Sequence, residues 1–83
     1  MEDATIKAYV KQFILQEFLP GEDPSALQEE TALISTGIMD SIGTLKLVSF
    51  LEEEFGIKIG AHETDADYLE TINSIARLVR SKI

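Results

Sequence analysis

An all-α four-helix bundle, with three main helices, one short helix and a long loop between helices one and two, is predicted by three features of the sequence. Apolar residues recur at helical spacing in three separate stretches, and no stretch shows the period-two alternation of a strand. Residues 20–40 interrupt the pattern with Pro, Gly, Asp, Ser and Thr, whereas the later connections are short. The 83 residues make one domain, 1–83, with no internal repeat and no linker. A chain of this size buries only about 60% of the surface its unfolded form exposes, so it is expected to fold alone but with a narrow margin.

The first helix is expected from Thr5 to Phe18, where Ile6, Tyr9, Val10, Phe13, Ile14 and Phe18 fall on one stripe. Glu2 and Asp3 lie near the positive end of its dipole, Thr5 or Asp3 is the expected cap, and Pro20-Gly21 stops it. The loop holds one short turn around Ser25 to Glu29, with Leu27, Leu33 and Ile34 to pin it down. The second helix runs from Ser41 to Phe55 with Leu45, Leu47, Val48, Leu51 and Phe55 inward, and Lys46, Ser49 and Glu53 outward. Gly56 ends it as a C-terminal glycine commonly does. Ile57 and Ile59 anchor the connector, Glu63 to Tyr68 reads as a brief helix, and Leu69 tucks inward. Thr71 caps a last helix that carries Ile72, Ile75, Ala76, Val79 and Ile83 on one face, with Arg77, Arg80 and Lys82 toward its negative end.

Composition narrows the function. Seven Lys and Arg against 15 Asp and Glu give a net charge of −8, which argues against nucleic acid, since phosphate backbones are bound by clustered basic residues. Such a surface should steer the domain toward basic patches on other proteins, with association slowing as salt rises. There is no cysteine, hence no disulfide, thiolate metal site or thiol nucleophile. Met1-Glu2-Asp3 is unlike a basic leader, and no apolar run approaches the roughly 20 residues that span a bilayer. A cytoplasmic monomer with no membrane partner is the expectation.

Candidates for chemistry are few. His62 is the one histidine, so any triad would have to use it; a surface or capping role is the simpler reading. Glu63, Asp65 and Asp67 begin like a calcium loop, but counting from Asp65 the sixth residue is Glu70 where glycine is needed and the twelfth is Ala76 where glutamate is needed. No metal site is assigned there or at Glu52-Glu53-Glu54, and no glycine-rich phosphate loop occurs. What remains is Asp40-Ser41 at the start of helix two. The pair could serve only as a cap. Yet a serine on the first turn of a helix, reached by a long loop, presents its hydroxyl to solvent, and an attached phosphate would lie at the positive end of the helix dipole.

From 37 to 57, Gly37-Ile38-Met39-Asp40-Ser41-Ile42, then Leu45, Leu47-Val48 and Leu51-Glu52-Glu53-Glu54-Phe55-Gly56-Ile57, the chain resembles the attachment motif and second helix of acyl carrier proteins. Pro20-Gly21, the loop leucines and Leu69-Glu70-Thr71-Ile72 extend the likeness over essentially the whole chain. The resemblance implies that Ser41 receives 4′-phosphopantetheine from coenzyme A through a magnesium-dependent phosphopantetheinyl transferase, and that the arm's thiol carries an acyl group as a thioester. It implies no catalytic residue of the chain's own. It further implies roles in partner recognition for Asp40, Ile42, Glu52 and Glu53, and an acyl pocket lined by Leu47, Val48, Leu51, Ile59 and Leu69, which could equally be ordinary core.

The chain departs from general fatty acid carriers at Gly43 and Lys46, on the exposed side of helix two where acids are common, at Lys58, and in a slightly longer connector between Ile59 and Leu69. These changes point to a carrier for a specialised pathway. The expected function is a discrete acyl carrier serving fatty acid, polyketide or related biosynthesis, with an acyl- or aminoacyl-loading ligase and acyl-transferring or condensing enzymes as partners. Its rival is a discrete aminoacyl or peptidyl carrier of a nonribosomal-peptide-type pathway. Two readings of other classes are an unmodified acidic interaction module and a small hydrolase using Ser41 with His62.

Overall fold

The computed structural model describes residues 2–83; Met1, the first residue of the predicted domain, lies outside them. Helix α1 spans Asp3–Phe18, α2 Ser41–Phe55, α3 Ala66–Leu69 and α4 Ile72–Arg80, with 3-10 turns at Pro24–Ala26 and Ala61–Glu63. Among the described residues there is no strand, and the all-α bundle is as expected. One core gathers residues from all four helices and from the loop, and α1 packs more extensively on α4 than on α2.

Ile6, Val10 and Ile14 form the fully buried stripe of α1, flanked by half-buried Phe13 and Phe18. Tyr9, expected in the stripe, is exposed and turns its ring to the edge of Phe55 at 6.2 Å between centroids. The helix starts earlier than expected, and neither Thr5 nor Asp3 is its cap. Glu2 holds that position through its carbonyl, which accepts from the Thr5 and Ile6 amides at 3.1 Å, without a side-chain bond. Asp3 instead pairs with Lys7 at 3.0 Å and with Arg80 at 3.7 Å, setting the start of α1 beside the end of α4. Surface pairs of this kind contribute about 0–1 kcal/mol each and serve mainly to fix register.

The loop 20–40 is pinned by Leu27 and Leu33, both fully buried, and by half-buried Ile34, as expected. Met39 also enters the core, which brings the residues just before α2 against the bundle. The expected turn at Ser25 to Glu29 lies slightly earlier, at Pro24–Ala26, because Asp23 caps it by accepting from the Ser25 amide at 2.9 Å.

In α2 the buried positions are Gly43, Leu47 and Leu51, four residues apart along one face. Two expectations for this helix are corrected. Leu45, placed inward from the sequence, is 63% exposed, because it lies about 200° around the helix from Gly43 at 100° per residue. Gly43, placed on the exposed side, is buried: a Cβ there would stand 2.6 Å from Cε1 of Phe18, so the missing side chain lets the end of α1 close over the start of α2. Gly56 ends α2 at φ 64°, in the left-handed region that a side chain would strain.

Beyond α2, Ile57 enters the core and Ile59 packs half-buried against it. The brief helix expected at Glu63 to Tyr68 is split into the 3-10 turn Ala61–Glu63 and α3, because Asp65 caps a new start by accepting from the Asp67 amide at 3.1 Å. Leu69 is fully buried. Thr71 caps α4 as expected, and reciprocally: Thr71 Oγ1 accepts from the Ser74 amide and Ser74 Oγ accepts from the Thr71 amide, both at 3.0 Å. Ile72, Ile75, Ala76 and Val79 are buried, and Leu78 widens that face. Ile83 does not belong to it; the helix has ended and the side chain is exposed.

Candidate functional site

Asp40 starts α2 from extended backbone, and its Oδ1 accepts from the Gly43 amide at 2.7 Å. Its carbonyl accepts from the amide of Thr44 at 2.8 Å and from the Thr44 hydroxyl at 2.9 Å. The cap is therefore Asp40, and Ser41 is the first helical residue with an exposed side chain. Two neighbours reinforce the position. Gly37, at φ 82°, completes a turn in which its amide donates to the Ile34 carbonyl at 3.0 Å, and Met39 is anchored through its amide to the Leu33 carbonyl at 2.9 Å.

Beside Ser41 lies an open groove of about 610 Å³. The loop lends it Ile34, Gly37 and Met39, α2 lends Thr44 and Leu45, and the approach to α3 lends Thr64, Asp65 and Ala66. A second groove of about 480 Å³ runs between α1 and α2, past Phe13, Glu17, Lys46, Phe50 and Glu53. Leu45 borders both grooves, and Ile42, 66% exposed, borders the second. An exposed serine at the start of a 15-residue helix, with a groove alongside, suits a phosphodiester-linked arm, because the helix end favours the phosphate.

The structure separates the other residues singled out from the sequence. Asp40 and Ile42 flank Ser41. Glu53 borders the α1–α2 groove, but Glu52 turns to its own connector, where Oε2 accepts from the Ile59 amide at 2.9 Å. Leu47, Leu51 and Leu69 are fully buried, with Val48 and Ile59 packed against them, so in this conformation they are core and the groove at Ser41 is lined by other residues. His62 lies exposed in the 3-10 turn with its ring against Gly60, outside the lining of the groove. Among the described residues no polar or charged residue is buried, so the chemistry-bearing groups all lie at the surface.

Sequence reasoning missed two carboxylates. Glu70 Oε1 accepts from the Ile34 amide at 2.7 Å and the Ser35 amide at 3.0 Å, and Glu63 Oε1 accepts from the Gly60 amide at 2.9 Å and pairs with Lys82 at 2.8 Å. The Ser35 amide, with that of Ile34, holds the Glu70 carboxyl below the ordinary glutamate value of 4.5. Lys82, with the Gly60 amide, does the same for Glu63. A carboxyl whose pKa is lowered by folding stabilises the fold above its unfolded pKa, and that contribution is lost as pH falls through the folded value. The thermal midpoint, followed by circular dichroism, should thus start to fall once pH drops below 4.5. A midpoint flat through that acid range would show that these bonds do not hold the connectors.

A small bundle that keeps its core closed and offers one serine at a helix start, beside a groove, has the form of a scaffold on which a mobile group is mounted. Residues 13–79 match the family described as "Phosphopantetheine attachment site", and the chain belongs to that family. It is a carrier protein, of the kind that bears covalent 4′-phosphopantetheine. It is 37% identical over 70 residues to the D-alanyl carrier protein of Streptococcus sanguinis strain SK36, covering 84% of this chain and 85% of that one. It is 32% identical over 75 residues to the D-alanyl carrier protein of Lacticaseibacillus casei strain BL23, covering 90% of each. Among solved structures, KstB-PCP(apo) aligns with a TM-score of 0.71 at 25% identity over 96% of this chain and 88% of that one. A chain from the crystal structure of an FAD-dependent dehydrogenase aligns at 0.76 and 28% identity over 84% and 97%. Among the described residues no helix is long and apolar enough to cross a membrane.

Proposed function

We propose that this chain is an aminoacyl carrier, in which Ser41 bears the phosphopantetheine arm and the arm holds a small amino acid, of the D-alanine type, as a thioester. The observation that carries the carrier reading is the exposed serine at the capped start of α2 beside an open groove, and the closed core, with Leu47, Leu51 and Leu69 fully buried, is compatible with a small cargo that stays outside the bundle. The names of the relatives support the same cargo class and favour it over fatty acid biosynthesis. Asp40 and Asp65 at the groove give an acidic setting that a cargo ammonium would meet without repulsion.

In the attachment step the Ser41 hydroxyl oxygen forms a bond to the pantetheine-side phosphorus of coenzyme A. The phosphoanhydride bond breaks, adenosine 3′,5′-bisphosphate leaves, and the serine proton passes to a base of the transferase. Asp40 fixes the helix start, so the hydroxyl is presented in one place. Once mounted, the arm supplies the thiol that this cysteine-free chain lacks. Ile42, Leu45 and Glu53 form the face that partner enzymes contact, and Glu52 serves its connector. Loading by an ATP-dependent ligase and modification from coenzyme A would suit a cytoplasmic protein, with that ligase and a phosphopantetheinyl transferase as its partners.

The test is loading of the phosphopantetheine form by a D-alanine-activating ligase with ATP, followed by intact mass. A gain of one alanyl group, with no loading by a long-chain acyl ligase, is the expected result. Preferential loading with long fatty acyl groups would overturn the cargo class and restore the fatty acyl carrier reading.

A further inference from the structure

We propose that Glu70 is a positioning residue for the Ser41 site, joining the two walls of the groove and fixing the loop that delivers the serine. Three consecutive loop amides end on this one residue: Leu33 N donates to its carbonyl at 2.7 Å, and Ile34 N and Ser35 N donate to Oε1 at 2.7 and 3.0 Å. Glu70's own amide donates to the carbonyl of Ala66 at 3.1 Å. Ala66 lies on one wall of the groove and Ile34 on the other, so a single half-exposed side chain and its backbone span the opening from behind.

The connection runs on to the serine. The peptide group between Leu33 and Ile34, whose N–H the Glu70 carboxylate holds, accepts the Met39 amide through its Leu33 carbonyl at 2.9 Å, and Met39 is buried and directly precedes the cap Asp40. From Glu70 to Ser41 there are thus only two hydrogen bonds and a short stretch of chain. A loop of this length has few elements of its own to hold it, and its amides would otherwise turn to water. A carboxylate accepts two such amides strongly, because hydrogen bonds to a charged acceptor are about twice as strong as neutral ones. The lowered Glu70 pKa accords with an ionised acceptor at neutral pH. Glu70 does not itself line the groove, so its effect on the attachment step passes through Ile34, Leu33 and Met39.

The functional consequence rests on Ser41 being the attachment site, whereas the geometry does not, and the experiment separates them. The apo protein, Glu70→Gln and Glu70→Ala are compared by amide exchange and NMR and by phosphopantetheine transfer from coenzyme A. In Glu70→Ala the Ile34 and Ser35 amides should exchange about tenfold faster, the factor for losing one charge-assisted hydrogen bond, with helical content kept. The Met39, Thr44 and Ala66 amides should shift, and transfer should fall about tenfold, chiefly in kcat, the kind of loss expected when the attacking hydroxyl leaves its productive position. Glu70→Gln keeps an acceptor oxygen and should restore most of both. If Glu70→Ala does not fold, Glu70→Asp, one methylene short, provides the same comparison. Unchanged Met39, Thr44 and Ala66 signals would overturn the proposal, whether the rate holds or falls, since a fall without them places Glu70 in direct contact with the transferase. If even the wild type takes no arm, the Ser41 reading fails while the amide signals still decide the role of Glu70.

Discussion

The wild type should gain the mass of one phosphopantetheine with coenzyme A, magnesium and a broad-specificity transferase, and Ser41→Ala should abolish that gain. Helical content and thermal midpoint should hardly move. The helix cap belongs to Asp40, and among the described residues the Ser41 side chain has no hydrogen-bond partner, so its removal should cost no more than the roughly 0.5 kcal/mol typical of surface substitutions. Loss of the gain with an intact fold isolates the hydroxyl oxygen as the attachment atom. Persistent modification of the variant would place the arm on another hydroxyl, of which Thr44, also on the groove, is the nearest in sequence on α2.

The largest loss of stability should follow Leu51→Ala. Leu51 is fully buried in the middle of the bundle, and truncating a buried leucine costs about 2–5 kcal/mol. For a domain of this size each kcal/mol lowers the thermal midpoint by about 4–8 °C, so a fall of about 10 °C or more is expected in a melt followed by circular dichroism. A change of only a few degrees would mean that Leu51 sits against space into which its neighbours readily relax, and would reopen the acyl-pocket role for Leu47, Leu51 and Leu69. The same variant, in its phosphopantetheine form, therefore also reports on cargo size: with a filled core, the cavity it creates should improve loading of longer acyl groups.

The extent of α2 was legible because every signal for it is local: an aspartate that caps it, a four-residue apolar spacing and a glycine that ends it. The same holds for Thr71 and α4. Leu45 and Gly43 differ from expectation because side-chain hydrophobicity is a property of each residue, whereas the buried stripe is set by position around the helix. Stepping back four residues from Leu47 arrives at Gly43, and a glycine gives no hydrophobic signal of its own. Tyr9 and Ile83 are exposed for a related reason: both lie at the margin of a stripe, where burial depends on what the neighbouring elements bring.

By itself, then, the sequence determined the main helices, the serine at the start of α2 and the family resemblance, because caps, spacing and motif are properties of neighbouring residues. Only the tertiary structure decided that Gly43 closes under Phe18, that Glu52 serves Ile59, and that Glu70 reaches loop amides 35 and 36 residues away. Those pairings depend on where the packed helices set their ends in space, and a carboxylate on a helix corner carries no mark in the sequence of which distant amide it will meet.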